Sequence, residues 1–125
     1  MLKILFIAIG GIFGTLLRSF MAHNIALSMS FNILLINYLG SFLAGCFFQF
    51  FKALNFHATI QNLIMVGFLG AFTTFSTYSL EAVKMFLAGE YKTGIWYIII
   101  GNIGAVVATL VGIFLVKQLM FFIKS

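Results

Sequence analysis

Charge is scarce in this sequence, and acidic charge is nearly absent. Only 7% of the 125 residues are charged, and Glu81 and Glu90 are the two acidic residues. An average soluble domain carries about 25% charged residues. Because 63% of the residues are hydrophobic, a soluble chain of this composition could not cover its own surface. The composition therefore excludes an ordinary soluble domain and predicts that lipid surrounds most of the chain.

Proline is missing altogether, and Cys46 is the only cysteine. A lone cysteine excludes an intrachain disulfide. Without proline, any break in a helix must come from glycine and polar residues. The sequence also lacks a carboxylate pair, a Cys/His pair or a set of metal ligands, which argues against an enzyme. Its seven basic residues lie at segment ends rather than in one patch, which favours membrane anchoring over nucleic-acid binding.

What the sequence does contain is four long apolar stretches. A bilayer core of about 30 Å requires about 20 apolar residues per helix. The stretches cover about residues 2–22, 31–51, 59–87 and 94–123. They predict an all-α, multi-pass protein of the cell membrane, with a single four-helix domain over residues 1–125. The first stretch has no clear cleavage site, so we expect a retained helix rather than a signal peptide.

The orientation of these spans is not decided by charge. Four spans place both termini on one side of the membrane, and the basic residues divide almost evenly between the sides: Lys3, Lys52, Lys117 and Lys124 against Arg18, Lys84 and Lys92. Either a weak bias is settled by other signals, or chains insert in both orientations and pair as an antiparallel dimer. Four short helices enclose little interior, which favours a homodimer.

Polar side chains within the spans are candidates for function, because they are costly in lipid. Arg18 either snorkels to the interface or attracts an anion. Glu81 either pairs with Lys84 or caps local backbone. Asn37 and Asn102 must each find a partner, which lies either across a helix interface or along a polar pathway.

The third span contains an unusual polar run between Gly67 and Ser79. Five hydroxyl residues occur in it, which is too many for one packing face: Thr73, Thr74, Ser76, Thr77 and Ser79. Ser and Thr can satisfy backbone groups that a helix break releases. Such a break presents carbonyls at one half-helix end and N–H groups at the other, where a cation or an anion can bind. The run therefore predicts a third helix broken mid-membrane, the alternative being a Ser/Thr-rich packing helix.

Together these segments resemble the Fluc/CrcB family of small bacterial fluoride channels. The resemblance covers the whole chain and rests on one motif in each of the first three spans: Gly10-Gly11-x-x-Gly14-x-x-x-Arg18, the N-x-x-G-S of residues 37–41, and the G-F-x-G-x-x-T-T-F-S-T-Y-S-x-E of residues 67–81. The third motif is long and specific, whereas the first alone would be weak.

The resemblance implies a passive, fluoride-selective channel that lowers cytoplasmic fluoride, built as an antiparallel dual-topology homodimer. It implies a structural Na⁺ at the dimer centre, held by the backbone carbonyls of Gly70 and Thr73. The implied fluoride pore is lined by residues from three spans: Asn37, Phe75, Tyr78, Tyr97 and Thr109. Four residues would give electrostatic or structural support: Arg18, Ser76, Thr77 and Glu81.

Two departures from the family pattern stand out. Tyr78 replaces a common phenylalanine, which adds a hydroxyl and bulk. The pore face of span four, which often bears serine in the family, reads Gly101, Ala105 and Thr109, so only Thr109 keeps a hydroxyl.

Two other membrane proteins compete with the channel interpretation. A small proton-coupled exporter of cationic drugs would have the same size and span number, but it needs a carboxylate embedded in span one, which has none. A non-transporting structural subunit would explain the small residues but not the clustered hydroxyls and amides.

Overall fold

The computed structural model describes residues 1–25 and 27–124. All regular structure within these residues is helical, in the order α1 (Leu2–Asn24), α2 (Met29–Ala53), α3 (Ala58–Gln61), a π-helix (Asn62–Leu69), α4 (Gly70–Phe72), α5 (Phe75–Leu87) and α6 (Tyr91–Lys124). Among the described residues, four segments are long and apolar enough to cross a membrane: Leu2–Asn24, Met29–Ala53, Ala58–Leu87 and Tyr91–Lys124. The predicted all-α architecture with four membrane-capable helices is confirmed.

α2 extends beyond its apolar stretch, and a polar side chain caps its first turn. α2 begins two residues before the predicted start, where the Ser28 side chain accepts a hydrogen bond from Phe31 N–H at 3.4 Å. Between α5 and α6, Gly89 has a φ of 80°, in the left-handed region that glycine adopts without strain. There Glu90 N–H donates to the Met85 carbonyl at 2.8 Å, which closes the turn.

The third membrane-capable segment changes its backbone several times. It passes from the short α3 into the π-helix and then into α4. The helical backbone ends after Phe72, and Thr73 and Thr74 are extended, with φ/ψ of −82°/156° and −147°/116°. Helical backbone resumes with α5 at Phe75.

Glycines let the helices approach one another closely. On α1, a Cβ at Gly10 or Gly14 would collide with the carbonyl oxygens of Leu63 and Phe68 in the third segment. Between α2 and α6, a Cβ at Gly45 would collide with the Thr109 carbonyl oxygen. Close backbone approach is the usual means by which helices associate in lipid, where no hydrophobic force draws them together.

A small core lies where α2, α4, α5 and α6 meet. Its buried members are mostly large apolar or aromatic residues: Ile33, Leu34, Ile36, Phe72, Tyr78, Ala82 and Tyr97. Many large apolar side chains of α1 and α6 are exposed instead. This distribution suits helices that face lipid on one side and hold a partly polar site on the other.

Candidate functional site

An open cavity of about 370 Å³ lies beside the extended residues of the third segment. Its lining brings together nine sequence-predicted or motif residues from three spans: Asn37, Gly40, Ser41, Gly70, Thr73, Thr74, Phe75, Tyr78 and Thr109. Asn102, Gly101 and Ala105 of α6 also line it. Tyr97, Arg18, Ser76, Thr77 and Glu81 are not part of this lining. The first motif, in span one, contributes no residue to this cavity.

The Asn37 side chain holds the extended backbone at Thr74. Its Nδ2 donates to the Thr74 carbonyl at 2.9 Å, and its Oδ1 accepts from Thr74 N–H at 2.8 Å. The amide thus accepts the hydrogen bond that Thr74 N–H would have donated within a continuous helix, and it adds a donor to the Thr74 carbonyl. Nδ2 carries a second hydrogen, which is available to another acceptor in the cavity.

Thr74 also caps the helix that follows. Its Oγ1 accepts from Thr77 N–H at 3.2 Å, and its hydroxyl donates to the Thr77 Oγ1 at 3.1 Å. The Ser76 hydroxyl lies 3.4 Å from Thr74 Oγ1. A threonine N-cap of this kind contributes about 1 kcal/mol to helix stability. Ser76 and Thr77 therefore surround the cap of α5 rather than the cavity.

The same rearrangement removes the usual helical donors from two carbonyl groups. In a continuous helix Thr74 N–H would donate to the Gly70 carbonyl, but here it donates to Asn37. Thr77 N–H would likewise donate to the Thr73 carbonyl, but here it donates to Thr74 Oγ1. Gly70 and Thr73 both line the cavity. Their oxygens are hard ligands of the kind that suit a small cation.

Two aromatic rings form one wall of the cavity. Phe75 is 69% exposed in the single chain, and its ring centroid lies 5.5 Å from that of Tyr78 at an interplanar angle of 60°. Tyr78 is only 3% exposed, and its hydroxyl donates to the Ile98 carbonyl of α6 at 2.6 Å. Asn102 Nδ2 in turn donates to the Tyr78 hydroxyl at 3.0 Å.

Two further predicted pore residues form interhelical hydrogen bonds. Tyr97 packs against Tyr78 with ring centroids 5.2 Å apart, and its hydroxyl donates to the Ser30 carbonyl at 2.9 Å. The Thr109 hydroxyl lies 3.1 Å from the Ser41 carbonyl of α2 and 3.1 Å from the Ala105 carbonyl of its own helix. A hydroxyl carries one hydrogen, so Thr109 donates to one of them at a time.

Arg18 lies in a second cavity, of about 340 Å³, between α1, α2 and α5. His23 and Thr77 line the same cavity. Arg18 is partly exposed there, within reach of the end of α1. The sequence left two roles open for Arg18, snorkelling to the interface and attracting an anion. Both roles fit this position.

Glu81 joins α5 to α2. It is 7% exposed, and its two carboxylate oxygens accept from Ser30 Oγ at 3.1 Å and from Lys84 Nζ at 3.2 Å. The pairing with Lys84 was one of the two sequence interpretations. Because the Lys84 side chain is 60% exposed, the ion pair contributes little to stability. The bond to Ser30 is the one that links two helices.

Sequence reasoning missed Ser30 and Asn32. Asn32 is 2% exposed, and its Nδ2 lies within hydrogen-bonding distance of three carbonyls at the α1–α2 connection: Ala22 at 3.1 Å, Ile25 at 3.2 Å and Leu27 at 3.3 Å. The signal that could have found it is an amide one turn into an apolar span, where a partner is obligatory.

The helices and the cavity define the class of this protein: a small multi-pass membrane protein with a polar site among apolar helices. Residues 5–113 match the family described as CrcB-like protein, Camphor Resistance (CrcB). The "Fluoride-specific ion channel FluC" of Parabacteroides distasonis is 34% identical over 128 residues, which cover 99% of this chain and 100% of that protein. The chain therefore belongs to the CrcB family, and the resemblance drawn from its motifs is confirmed.

Other relatives have the same description. The "Fluoride-specific ion channel FluC" of Campylobacter lari is 36% identical over 118 residues, covering 91% of this chain and 97% of the relative. That of Legionella pneumophila strain Lens is 37% identical over 120 residues, covering 91% and 89%. This similarity extends over nearly the full length of the chain, so it includes all three motifs and the cavity that two of them form.

Proposed function

We propose that this chain is a fluoride-specific ion channel, which lets fluoride leave the cell passively and so lowers its concentration in the cytoplasm. The similarity to proteins of that description supports this function. The observation that carries it is the cavity in which the Asn37 amide and the Phe75 ring meet beside the extended residues. The activity is transport across the cell (inner) membrane rather than catalysis.

The chemistry of the cavity suits a small anion. Fluoride holds its hydration shell tightly, so a pathway must replace water with other hydrogen-bond donors. Asn37 has a second Nδ2 hydrogen to offer. The exposed Phe75 ring has a positive edge that an anion can approach. Arg18, on the first span, raises the local anion concentration through its charge.

The function is tested by ion efflux from proteoliposomes loaded with fluoride or with chloride. We expect fluoride efflux that follows the membrane voltage, chloride efflux that is far slower, and no dependence on a proton gradient. Vesicles without protein provide the control. Absence of fluoride-selective efflux would overturn the channel, and coupling to protons would favour a transporter.

The assembly belongs to the same proposal: two copies pair in antiparallel orientation, with a pore along each. The even division of basic residues between the two sides supports dual topology. The exposure of Phe75 and of Gly70 in the single chain supports a partner that completes the cavity wall. We further propose that the interruption at Thr73 and Thr74, near the centre of the segment Ala58–Leu87, lies at the middle of the membrane.

Dual topology is tested by labelling a single cysteine at the C-terminal end. In a Cys46→Ser background, Ser125→Cys, which leaves the charge balance unchanged, is treated in intact cells with a membrane-impermeant maleimide. We expect one fraction of the protein to react from outside and the remaining fraction only after the membrane is permeabilised. Reaction from one side alone would contradict the antiparallel dimer.

The structural Na⁺ is also part of the proposal. The carbonyls of Gly70 and Thr73, whose helical donors bond elsewhere, would supply its oxygen ligands from each copy. The cation would neutralise carbonyl dipoles that otherwise face one another across the dimer. It would hold the two copies together and would not be transported.

A further inference from the structure

Gly101 of α6 provides the space that Tyr78 occupies. A Cβ built on Gly101 would lie 2.6 Å from both Cζ and Oη of Tyr78, and it would collide with Cε1 as well. Real side chains do not tolerate such distances, so any larger residue must displace the ring. The ring is buried at this point, since Tyr78 is 3% exposed. A displaced ring would move into the cavity that Tyr78 lines.

The Tyr78 hydroxyl is fully engaged with α6. Its one hydrogen is donated to the Ile98 carbonyl at 2.6 Å. Asn102 Nδ2 donates to the hydroxyl oxygen at 3.0 Å and lies 2.9 Å from the same Ile98 carbonyl. The three groups form a closed set of hydrogen bonds at the cavity wall. Tyr78 cannot donate to an anion without breaking the bond to Ile98.

We propose that Gly101 and Asn102 are positioning residues of the ion pathway, which lock the Tyr78 ring against α6 so that the ring, and not its hydroxyl, meets the ion. This inference rests on the proposed channel function. Gly101 supplies the space, and Asn102 with the Ile98 carbonyl holds the hydroxyl end of the ring. The position of the Tyr78 ring relative to the Phe75 ring is then fixed, with the ring centroids 5.5 Å apart.

The chain offers a matched control one helical turn further along α6. A Cβ on Gly104 would lie 2.6 Å from Cζ of Tyr38, and the Tyr38 hydroxyl donates to the Ile100 carbonyl at 2.6 Å. The packing is thus the same tyrosine-on-glycine arrangement. Tyr38 and Gly104 do not contribute to the cavity lining, whereas Tyr78 and Gly101 do.

The test uses Gly101→Ala, Tyr78→Phe and the double variant that combines them, and Gly104→Ala is the control. Fluoride efflux and thermal unfolding in detergent are measured for all four. Gly101→Ala should lower fluoride efflux at least about tenfold, because the ring is displaced from its locked position. In the Tyr78→Phe background, where the ring is no longer tied to Ile98, Gly101→Ala should lower efflux less than about threefold further. Gly104→Ala should lower the unfolding temperature similarly but leave efflux within about threefold of wild type.

A spectroscopic measurement distinguishes a change in the Tyr78 ring position from a general loss of folding. All four tyrosines are replaced by 3-fluorotyrosine, and the ¹⁹F resonance of Tyr78 is identified as the one that disappears in Tyr78→Phe. We expect this resonance to be a single narrow line in wild type and to be shifted or broadened in Gly101→Ala. An unchanged resonance, equal efflux losses in Gly101→Ala and Gly104→Ala, or independent effects of Gly101→Ala and Tyr78→Phe would each overturn the inference. Wild-type vesicles that pass no fluoride would instead overturn the proposed function itself.

Discussion

Replacing Asn37 by aspartate is expected to reduce fluoride efflux at least about 100-fold. The Asn37 Nδ2 that donates to the Thr74 carbonyl at 2.9 Å would become an oxygen, so two acceptors would face each other. A buried carbonyl that loses its donor costs about 1–3 kcal/mol. The carboxylate also removes the hydrogen that we assign to the ion, and its charge repels an anion by about 4 kcal/mol at 4 Å in a medium of intermediate dielectric constant.

The measurement is fluoride efflux from proteoliposomes beside the unfolding temperature of the same preparation. Asn24→Asp is the matched control, because Asn24 Nδ2 also donates to a carbonyl, that of Phe20 at 2.8 Å, but at the exposed end of α1. It should leave efflux unchanged. If efflux falls while the unfolding temperature stays the same, the loss comes from the missing interaction with the ion. If the unfolding temperature also falls, the loss comes from the destabilised backbone at Thr74. Normal efflux in Asn37→Asp would remove Asn37 from the pathway.

If the proposed dimer and its Na⁺ site exist, replacing Na⁺ by choline at constant ionic strength is expected to destabilise the purified dimer and to stop fluoride efflux. A cation bound only by the folded dimer stabilises it by about 2.7 kcal/mol when its concentration is 100 times its dissociation constant. Without it, the carbonyl groups of Gly70 and Thr73 from two copies would face one another unneutralised. Thermal unfolding and dimer dissociation, followed over a Na⁺ titration, measure the effect.

Thr73→Val provides the matched variant for this titration. The substitution keeps the backbone carbonyl and the shape of the side chain, and it removes only the hydroxyl that donates to the Leu69 carbonyl at 2.9 Å. We expect Thr73→Val to retain the Na⁺ dependence. Loss of that dependence would assign the cation to the hydroxyl instead, and identical stability of wild type in Na⁺ and choline would refute the cation site.

The polar run of the third span shows how far sequence reasoning reached. It singled out the hydroxyl residues between Thr73 and Ser79 as partners for released backbone groups, and Thr74 does cap α5 through Thr77 N–H. It did not connect Asn37 to Thr74, although both belonged to recognised motifs. The two residues are 37 positions apart, and nothing in their local patterns indicates that their helices meet there.

The departures in spans three and four show the same limit. Tyr78 and Gly101 each differ from the common family residue, and from the sequence they were two separate exceptions. In the folded chain they form one pair, because the ring of Tyr78 occupies the volume beside the Gly101 backbone. The sequence did not decide whether Asn102 serves helix packing or an ion pathway. In the structure its side chain donates a hydrogen bond to the Tyr78 hydroxyl.

Composition by itself predicted a helical chain with four segments able to cross a membrane, because apolar length is a property of contiguous residues. The resemblance of three local motifs indicated the CrcB family. Only the tertiary structure decided which polar groups satisfy one another. In lipid every buried donor and acceptor must find a partner within the protein, and that partner is chosen by how the helices pack. Asn37 therefore bonds to Thr74, the Tyr78 hydroxyl donates to the Ile98 carbonyl of α6, and Tyr97 donates to Ser30 outside the cavity lining.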